Sequence, residues 1–251
     1  MVSHRQGALV QPLLADLTAL VRSVEIHVTL TQNVPEDVDE DWEKLPFPVH
    51  VIRNRRPLGF AANHNQAFRE EREFESEYFC VLNPDLRLTE DPFPALLECL
   101  AHPALGAVAP LVRNPAGDIE DNCRKFPTPW SIFQKALGTD TTLYCSVEES
   151  LNPDWIAGMF MVFPRRSFEH VGGFDQRFHL YYEDVDICAR LRLARYREAL
   201  CPAATVIHDA RRESHRNLGH MGWHLTSMLR FFSSRPYRQI RQECHITHNH
   251  G

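Results

Sequence analysis

The chain has 251 residues, 43% of them hydrophobic, and a formal net charge of -6 from 27 Lys and Arg against 33 Asp and Glu. That is enough apolar material for a sizeable core, whereas the acidic balance excludes a nucleic-acid protein, which needs Lys and Arg clustered on one face. No apolar run reaches the roughly 18 to 20 residues that span a bilayer, and no basic start precedes an apolar stretch, so a soluble, cytoplasmic protein is expected.

Met1-Val2-Ser3 offers at most a short first strand before a polar turn. Leu9, Leu13, Leu14, Leu17, Leu20 and Val21 then recur at helical spacing, and Val24, Ile26, Val28 and Leu30 alternate with polar residues in the two-residue period of a strand. After an acidic loop at 36–41 come a strand at 49–52, the start of a helix at 63–68 and a strand at 78–82 that stops at Asn83-Pro84-Asp85. A helix at 94–100, a strand at 107–109, a loop at 114–129 and a strand at 159–163 follow. A Gly172-Gly173 turn, a helix beginning near Asp184 and a last strand at 204–207 complete the pattern. Strands alternating with helices predict an α/β chain with a Rossmann-like, mostly parallel sheet flanked by helices, its ligands bound beyond the carboxyl ends of the strands. Seven cysteines, an odd number with no CxxC pair, suit neither a disulfide framework nor structural zinc and read as reduced thiols.

Asp85 follows a strand directly, so its carboxylate is delivered to the ligand rim of the sheet. A hard cation such as magnesium or manganese suits it there, since such ions take one or two carboxylates and fill the remaining positions with water and phosphate oxygens. The same three residues also form a turn for backbone reasons alone. Glu183, Asp184 and Asp186 place three carboxylates at a helix start. The macrodipole favours acids there by roughly 0.3 to 1 kcal/mol each, which accounts for one or two of them. The other reading is a general base that takes a proton from a hydroxyl. His208 ends a strand, although a lone histidine is more often a surface residue than a ligand. Arg211 and Arg212 beyond it either neutralise a diphosphate or form a solvated charged run.

In order along the chain, these segments resemble the family-2 glycosyltransferases of the GT-A fold, particularly the rhamnosyltransferase-like branch. Arg53-Asn54 through Leu58-Gly59-Phe60-Ala61-Ala62-Asn63 is similar to the family's N-x-GFgxAxN segment, and Val81-Leu82-Asn83-Pro84-Asp85 to the LNPD form of its metal-binding motif. Trp155-Ile156-Ala157-Gly158-Met159-Phe160-Met161 resembles W-x-x-G-x-x-M, and Val171-Gly172-Gly173-Phe174-Asp175 with Glu183-Asp184-Val185-Asp186 resembles the VGGFD-to-EDVD block, the most specific part. Pro202 to His208 resembles the family's closing P-x-A-x-v-x-H.

The resemblance implies an inverting transfer, with Asp184 as base and Glu183 orienting hydroxyls. Asp85 and His208 would hold Mg2+ or Mn2+, and Gln32, Asn33, Arg53, Gly59, Asn63 and Asn83 would lie along the nucleotide-sugar donor. Trp155, Ala157 and Gly158 would line the sugar and acceptor pocket; Arg211 and Arg212 stay phosphate candidates on their charge alone, and on the structural reading Asp186 supports the helix start through its charge. It further implies one domain over 1–232, with a nucleotide-binding half at about 1–90 and an acceptor-binding half at about 91–232, ahead of a partly disordered tail at 233–251. The expected acceptor is a saccharide or a lipid-linked saccharide in cell-surface polysaccharide or glycolipid synthesis, met at the inner face of the membrane through peripheral association.

Two departures stand out. The first strand is short, through either a misassigned start or a sheet lacking an element, and the second strand ends in Thr31-Gln32-Asn33 where the family carries Asp-Asn. Gln32 and Asn33 both donate and accept, so base recognition with altered specificity is expected, and the rhamnosyltransferase resemblance favours a thymidine-diphosphate deoxysugar. These departures feed a rival reading, a non-catalytic binding or scaffold protein. A sugar nucleotidyltransferase would need a Gly-rich phosphate loop near the first strand, which Gln6-Gly7-Ala8 does not provide.

Overall fold

The computed structural model describes residues 1–36, 42–71, 74, 76–138, 153–209 and 218–248. Strand β1 (Val2–His4) does form, pairing in parallel with β2 (Val28–Val34) from Val2 opposite Thr31. Between them α1 (Gly7–Leu20) buries Leu13, Leu14 and Leu17 of the expected stripe, with Val10 buried in place of Leu9, while Leu9 and Leu20 are half-buried. β2 starts later than the alternation from Val24 suggested, so Thr31, Gln32 and Asn33 lie inside it, all buried. β3 (Val49–Arg53) completes a three-stranded parallel sheet in the order β1-β2-β3, and α2 (Phe60–Glu70) follows.

The second sheet is built from β4 (Tyr78–Leu82), β5 (Leu86–Leu88), β6 (Leu105–Arg113), β9 (Phe160–Pro164) and β10 (Arg197–His208), in the order β4-β9-β6-β10-β5. Only β6 and β10 run parallel in it; β9 pairs antiparallel with β4 and β6, and β5 antiparallel with β10. Periodicity alone does not separate these cases. β10 is also much longer than the predicted 204–207 stretch: its register shifts between Cys201 and Thr205, where Pro202 cannot donate to the ladder, and pairing with β6 resumes beyond.

Helices cover both sides. α1 and α3 (Phe93–Leu100) close one cluster around Leu30, Leu86, Leu96 and Phe160; α5 (Arg165–His170) and α6 (Glu183–Leu193) close another around Phe163, Phe168, Phe174 and Ile187. The stretch expected to be loop contains the two-residue strand β7 (Cys123–Arg124), which pairs with β8 (Trp155–Ile156), and leads into α4 (Pro129–Ala136). Within the stretch expected to be a partly disordered tail, the described residues are helical: α7 (Leu218–Ser233) is followed by α8 (Arg235–His248), whose Ile240 is buried with Phe178, Tyr182 and Phe231. A few apolar residues on an otherwise polar helix suffice once they meet a hydrophobic patch.

Asp186 is not merely a surface charge at the start of α6. Its side chain is 1% exposed and accepts a 2.7 Å hydrogen bond from Arg190 Nε, while Arg190 Nη1 donates to the carbonyls of Val171 and Gly173 at 2.6 and 2.7 Å. This pair holds the turn in which Gly172 and Gly173 adopt φ of 75° and 71°. Asp186→Asn should therefore lower the unfolding free energy by roughly 3 kcal/mol, the low end for breaking a buried pair because Arg190 keeps some contact with water. Denaturant titration of both proteins measures it; an unchanged midpoint would show the pair to be dispensable.

Candidate active site

Four backbone turns meet beyond the strand ends. The Asn83 N–H, after β4, donates to the Met159 carbonyl at 2.9 Å, and the neighbouring Gly158 N–H donates to Asp184 Oδ2 at 3.1 Å. Ala157 N–H donates to the Asn122 carbonyl at 2.8 Å, which ties the same turn to β7. A Cβ at Gly158 would sit 3.1 Å from Phe60 Cζ, so the start of α2 closes against the turn as well. Phe60 N–H in turn donates to the His179 carbonyl at 2.8 Å, and a Cβ on Gly59 would collide with that carbonyl. Gly59 thus serves close packing between segments far apart in sequence.

The acids at the start of α6 differ in their surroundings. Asp184 accepts from both Gly158 and Val185 N–H, the latter at 2.8 Å. Glu183 is 5% exposed and its Oε2 has no partner. Burial, followed by the adjacent Asp184 charge, pushes the Glu183 carboxyl up to about 8. Burial also raises Asp184, opposed by its two backbone donors. Burial thus raises both carboxyls, while the Gly158 and Val185 donors favour the charged form of Asp184. Just upstream, Tyr181 and Tyr182 adopt φ of 70° and 66°, a left-handed conformation costly for side chains of this size.

Asp85, in the turn after β4, and His208, at the end of β10, come together: Asp85 Oδ2 lies 3.2 Å from His208 Nε2, and His208 Nδ1 lies 2.7 Å from Glu120 Oε2. Burial works against charge on the ring, but the hydrogen bonds to Asp85 and Glu120 outweigh it and raise His208 to about 9. Asp85 Oδ1 is buried without a partner. No three His, Cys, Asp or Glu side chains among the described residues form a closed metal cage. An orphaned carboxylate oxygen beside an imidazole that gives up its Nε2 proton as the cation enters fits an open site for a hard divalent ion that takes its other ligands from water and phosphate, with Glu120 fixing the ring through Nδ1.

The residues expected along the nucleotide are placed less uniformly. Asn33 Oδ1 accepts from Leu58 N–H at 2.7 Å and from Asn54 Nδ2 at 3.0 Å, and Asn33 Nδ2 donates to the Leu58 carbonyl at 2.9 Å. Asn63 Oδ1 accepts from Asn54 Nδ2 at 2.7 Å. Asn33 and Asn63 therefore brace the 54–59 loop from within. Gln32 is buried beside them and its carbonyl accepts from Asn54 N–H at 3.1 Å, while Arg53 is exposed. Trp155 is fixed by a 3.1 Å bond from Nε1 to the Lys125 carbonyl, with the Arg124 guanidinium 5.4 Å from its ring centre. Arg211 and Arg212 lie outside the described residues.

The sequence reading missed Asn54, the hub of the asparagine brace, although it stood inside a quoted motif. It missed Glu120 too, which reaches His208 because the chain turns back at Gly117 and Glu120 N–H donates to the Val112 carbonyl at 2.8 Å. Pro115-Ala116-Gly117-Asp118 between Val112 and Ile119 was the available hairpin signal. Of the cysteines, Cys80, Cys99, Cys123, Cys188 and Cys201 are free thiols, and Cys145 lies outside the described residues.

No family model matches the chain. It is 26% identical over 257 residues to the N-acetylglucosaminyl-diphospho-decaprenol L-rhamnosyltransferase of Mycobacterium tuberculosis, covering 93% of this chain and 83% of that protein. It is 31% identical over 185 residues to the rhamnosyltransferase WbbL of Escherichia coli, covering 70% of each. In fold it is similar to a mannosyltransferase from Pyrobaculum calidifontis solved with GDP-Man and Mn2+, with a TM-score of 0.63 and 15% identity over 94% of this chain and 64% of that one. GalNAc-T7 solved with UDP, GalNAc and Mn2+ matches with a TM-score of 0.62 and 16% identity over 86% of this chain and 43% of that one.

The carboxyl raised from 4.5 to about 8 at Glu183 has a stability signature. A native state that keeps a proton which the unfolded chain releases loses stability as pH rises through that interval. Melting temperatures of the wild type should thus fall relative to Glu183→Gln as pH increases from the ordinary carboxyl range to about 8. A wild type that gains on the variant over the same range would mean that Glu183 is ionised in the folded protein.

Proposed function

The chain belongs to the rhamnosyltransferase-like family-2 glycosyltransferases, and on that premise we propose that it moves a sugar, a deoxysugar such as rhamnose, from a nucleoside-diphosphate donor to a hydroxyl of a saccharide or lipid-linked acceptor, with inversion. The observation that carries this reading is the acid pair at the start of α6, with Asp184 accepting from the Gly158 and Val185 N–H groups and the buried Glu183 carboxyl beside it raised to about 8. As the acceptor oxygen attacks the anomeric carbon, its proton passes to Asp184 and the bond to the diphosphate breaks on the opposite face. Glu183, holding its proton, is suited to donate to a sugar hydroxyl, and the fixed indole of Trp155 with Ala157 and Gly158 forms the sugar-side wall.

Asp85 and His208 would hold Mg2+ or Mn2+, which when bound neutralises charge growing on the departing diphosphate. Gln32, Arg53 and Asn83 are assigned to the nucleotide, with Asn33, Asn54 and Asn63 shaping the loop beside it, and a thymidine-diphosphate donor fits the rhamnosyltransferase kinship. The lipid-linked substrate in the mycobacterial relative's name supports an acceptor met at the cytoplasmic face of a membrane. Among the described residues no helix is long and apolar enough to cross one. No observation favours the non-catalytic scaffold.

Thermal stabilisation by a panel of nucleoside diphosphates, with and without manganese, identifies the donor base, because a ligand that binds only the native state raises its stability. Asp85→Ala should lose the manganese-dependent part of that stabilisation, read against the variant's own melting temperature without ligand; retention of the manganese effect would remove Asp85 from the metal. With the donor in hand, Asp184→Asn should lower turnover about 10²- to 10⁴-fold with donor affinity little changed. Near-normal turnover in that variant would place the base elsewhere.

A further inference from the structure

Helix α7 packs one face on the strained turn that opens α6. Ser227 Oγ donates to the Leu180 carbonyl at 2.9 Å, the Tyr181 hydroxyl and His220 Nδ1 share a 3.0 Å hydrogen bond, and the His224 ring lies 5.5 Å from that of Tyr182. Another face carries Met221, Leu225 and Leu229, spaced four residues apart along one side of the helix and 68%, 53% and 59% exposed. At the far end of this stripe Leu229 lines a shallow cavity of about 820 Å³, together with Arg177, Arg230, Arg235 and Arg238. Arg177 is engaged by Asp175 at 2.6 Å and Arg230 lies 6.0 Å from the Phe178 ring centre. Among the described residues no carboxylate pairs with Arg230, Arg235 or Arg238.

A chain of net charge -6 that gathers four arginines around one cavity departs locally from its own average. An apolar stripe joined to such a cluster has the composition of a helix lying in a membrane interface, apolar side chains among the acyl chains and guanidinium groups at the phosphates. A second copy of the chain would bury the stripe, but a two-fold contact would also bring the arginines towards their own counterparts. A soluble polyanion would leave the stripe without a role.

We propose that the Met221-Leu225-Leu229 stripe and the adjoining arginine cavity form a docking surface for an anionic phospholipid bilayer. The proposal deepens, and in its purpose rests on, the reading that the acceptor is met at a membrane face: through Leu180, Tyr181 and Tyr182 the docked helix would hold the Glu183–Asp184 turn near that face.

Co-sedimentation of the full chain with vesicles tests this directly and needs no sugar transfer. The protein should pellet with vesicles of phosphatidylcholine mixed with phosphatidylglycerol, stay in solution with phosphatidylcholine alone, and be released by salt. The double variants Leu225→Gln/Leu229→Gln and Arg235→Gln/Arg238→Gln should each weaken partitioning about tenfold or more, since every basic residue near an anionic surface contributes roughly fivefold. Melting temperature and nucleoside-diphosphate stabilisation should be unchanged in both. Wild type that stays in solution with both vesicles, or double variants that pellet like wild type, would overturn the proposal. So would a concentration-dependent dimer lost in Leu225→Gln/Leu229→Gln, which would assign the stripe to a second copy. Vesicle binding by a protein that no nucleoside diphosphate stabilises would uphold the docking surface and count against the transfer reading instead.

Discussion

The hydrogen bond from Gly158 N–H to the Asp184 carboxylate, 3.1 Å long, is the constraint on which the candidate site depends. It fixes the start of α6 against the turn between β8 and β9, and that turn is itself held by Asn83 and Asn122. It also separates two adjacent acids chemically. The backbone donors favour the charged form of Asp184 against its burial, whereas burial and the neighbouring charge favour the protonated form of Glu183. Because the donors are main-chain groups, only proline at 158 or 185 would remove one outright. At Gly158 a side chain is disfavoured for a separate reason, since a Cβ would press on Phe60.

Holding Asp184 in place has a cost in the backbone just before it. Tyr181 and Tyr182 are both left-handed, and neither is a residue that tolerates this easily. The surroundings over-determine the turn: Tyr182 is buried against Phe231, Ser227 accepts the task of satisfying the Leu180 carbonyl, and Tyr181 bonds to His220. α7 and α8 thus belong to the site energetically even where they carry none of its acids. Strain of this kind persists only where packing compensates for it.

What was legible in the sequence was whatever local signals encode. Asp85 appeared as the end of a strand because Asn-Pro-Asp interrupts an apolar run, and the α6 start appeared because acids cluster before an apolar stripe. His208 could be placed at a strand end for the same reason. Features created by long-range pairing were invisible: the antiparallel course of β9 and β5, the first half of β10 ahead of Pro202, and the approach of Glu120 to His208. The ordering of α8 was missed because its helix is polar overall and depends on Phe231, Tyr182 and Ile240 meeting in space.

The asparagine brace bears on how motif residues are interpreted. Kinship alone places Asn33 and Asn63 along a nucleotide, yet their amides are engaged with Asn54 and with the backbone of Leu58. A buried polar network of this kind is stable while every member is satisfied, and losing one amide leaves the others unpaired in a dry interior. Removing either side chain would therefore deform the 54–59 loop, and Phe60 with it, before any direct contact with a donor came into question. Since Phe60 closes on Gly158 and Gly158 holds Asp184, a nucleotide-side change would be transmitted to the acid pair through packing. An asparagine at each of these positions is thus accounted for by loop geometry alone.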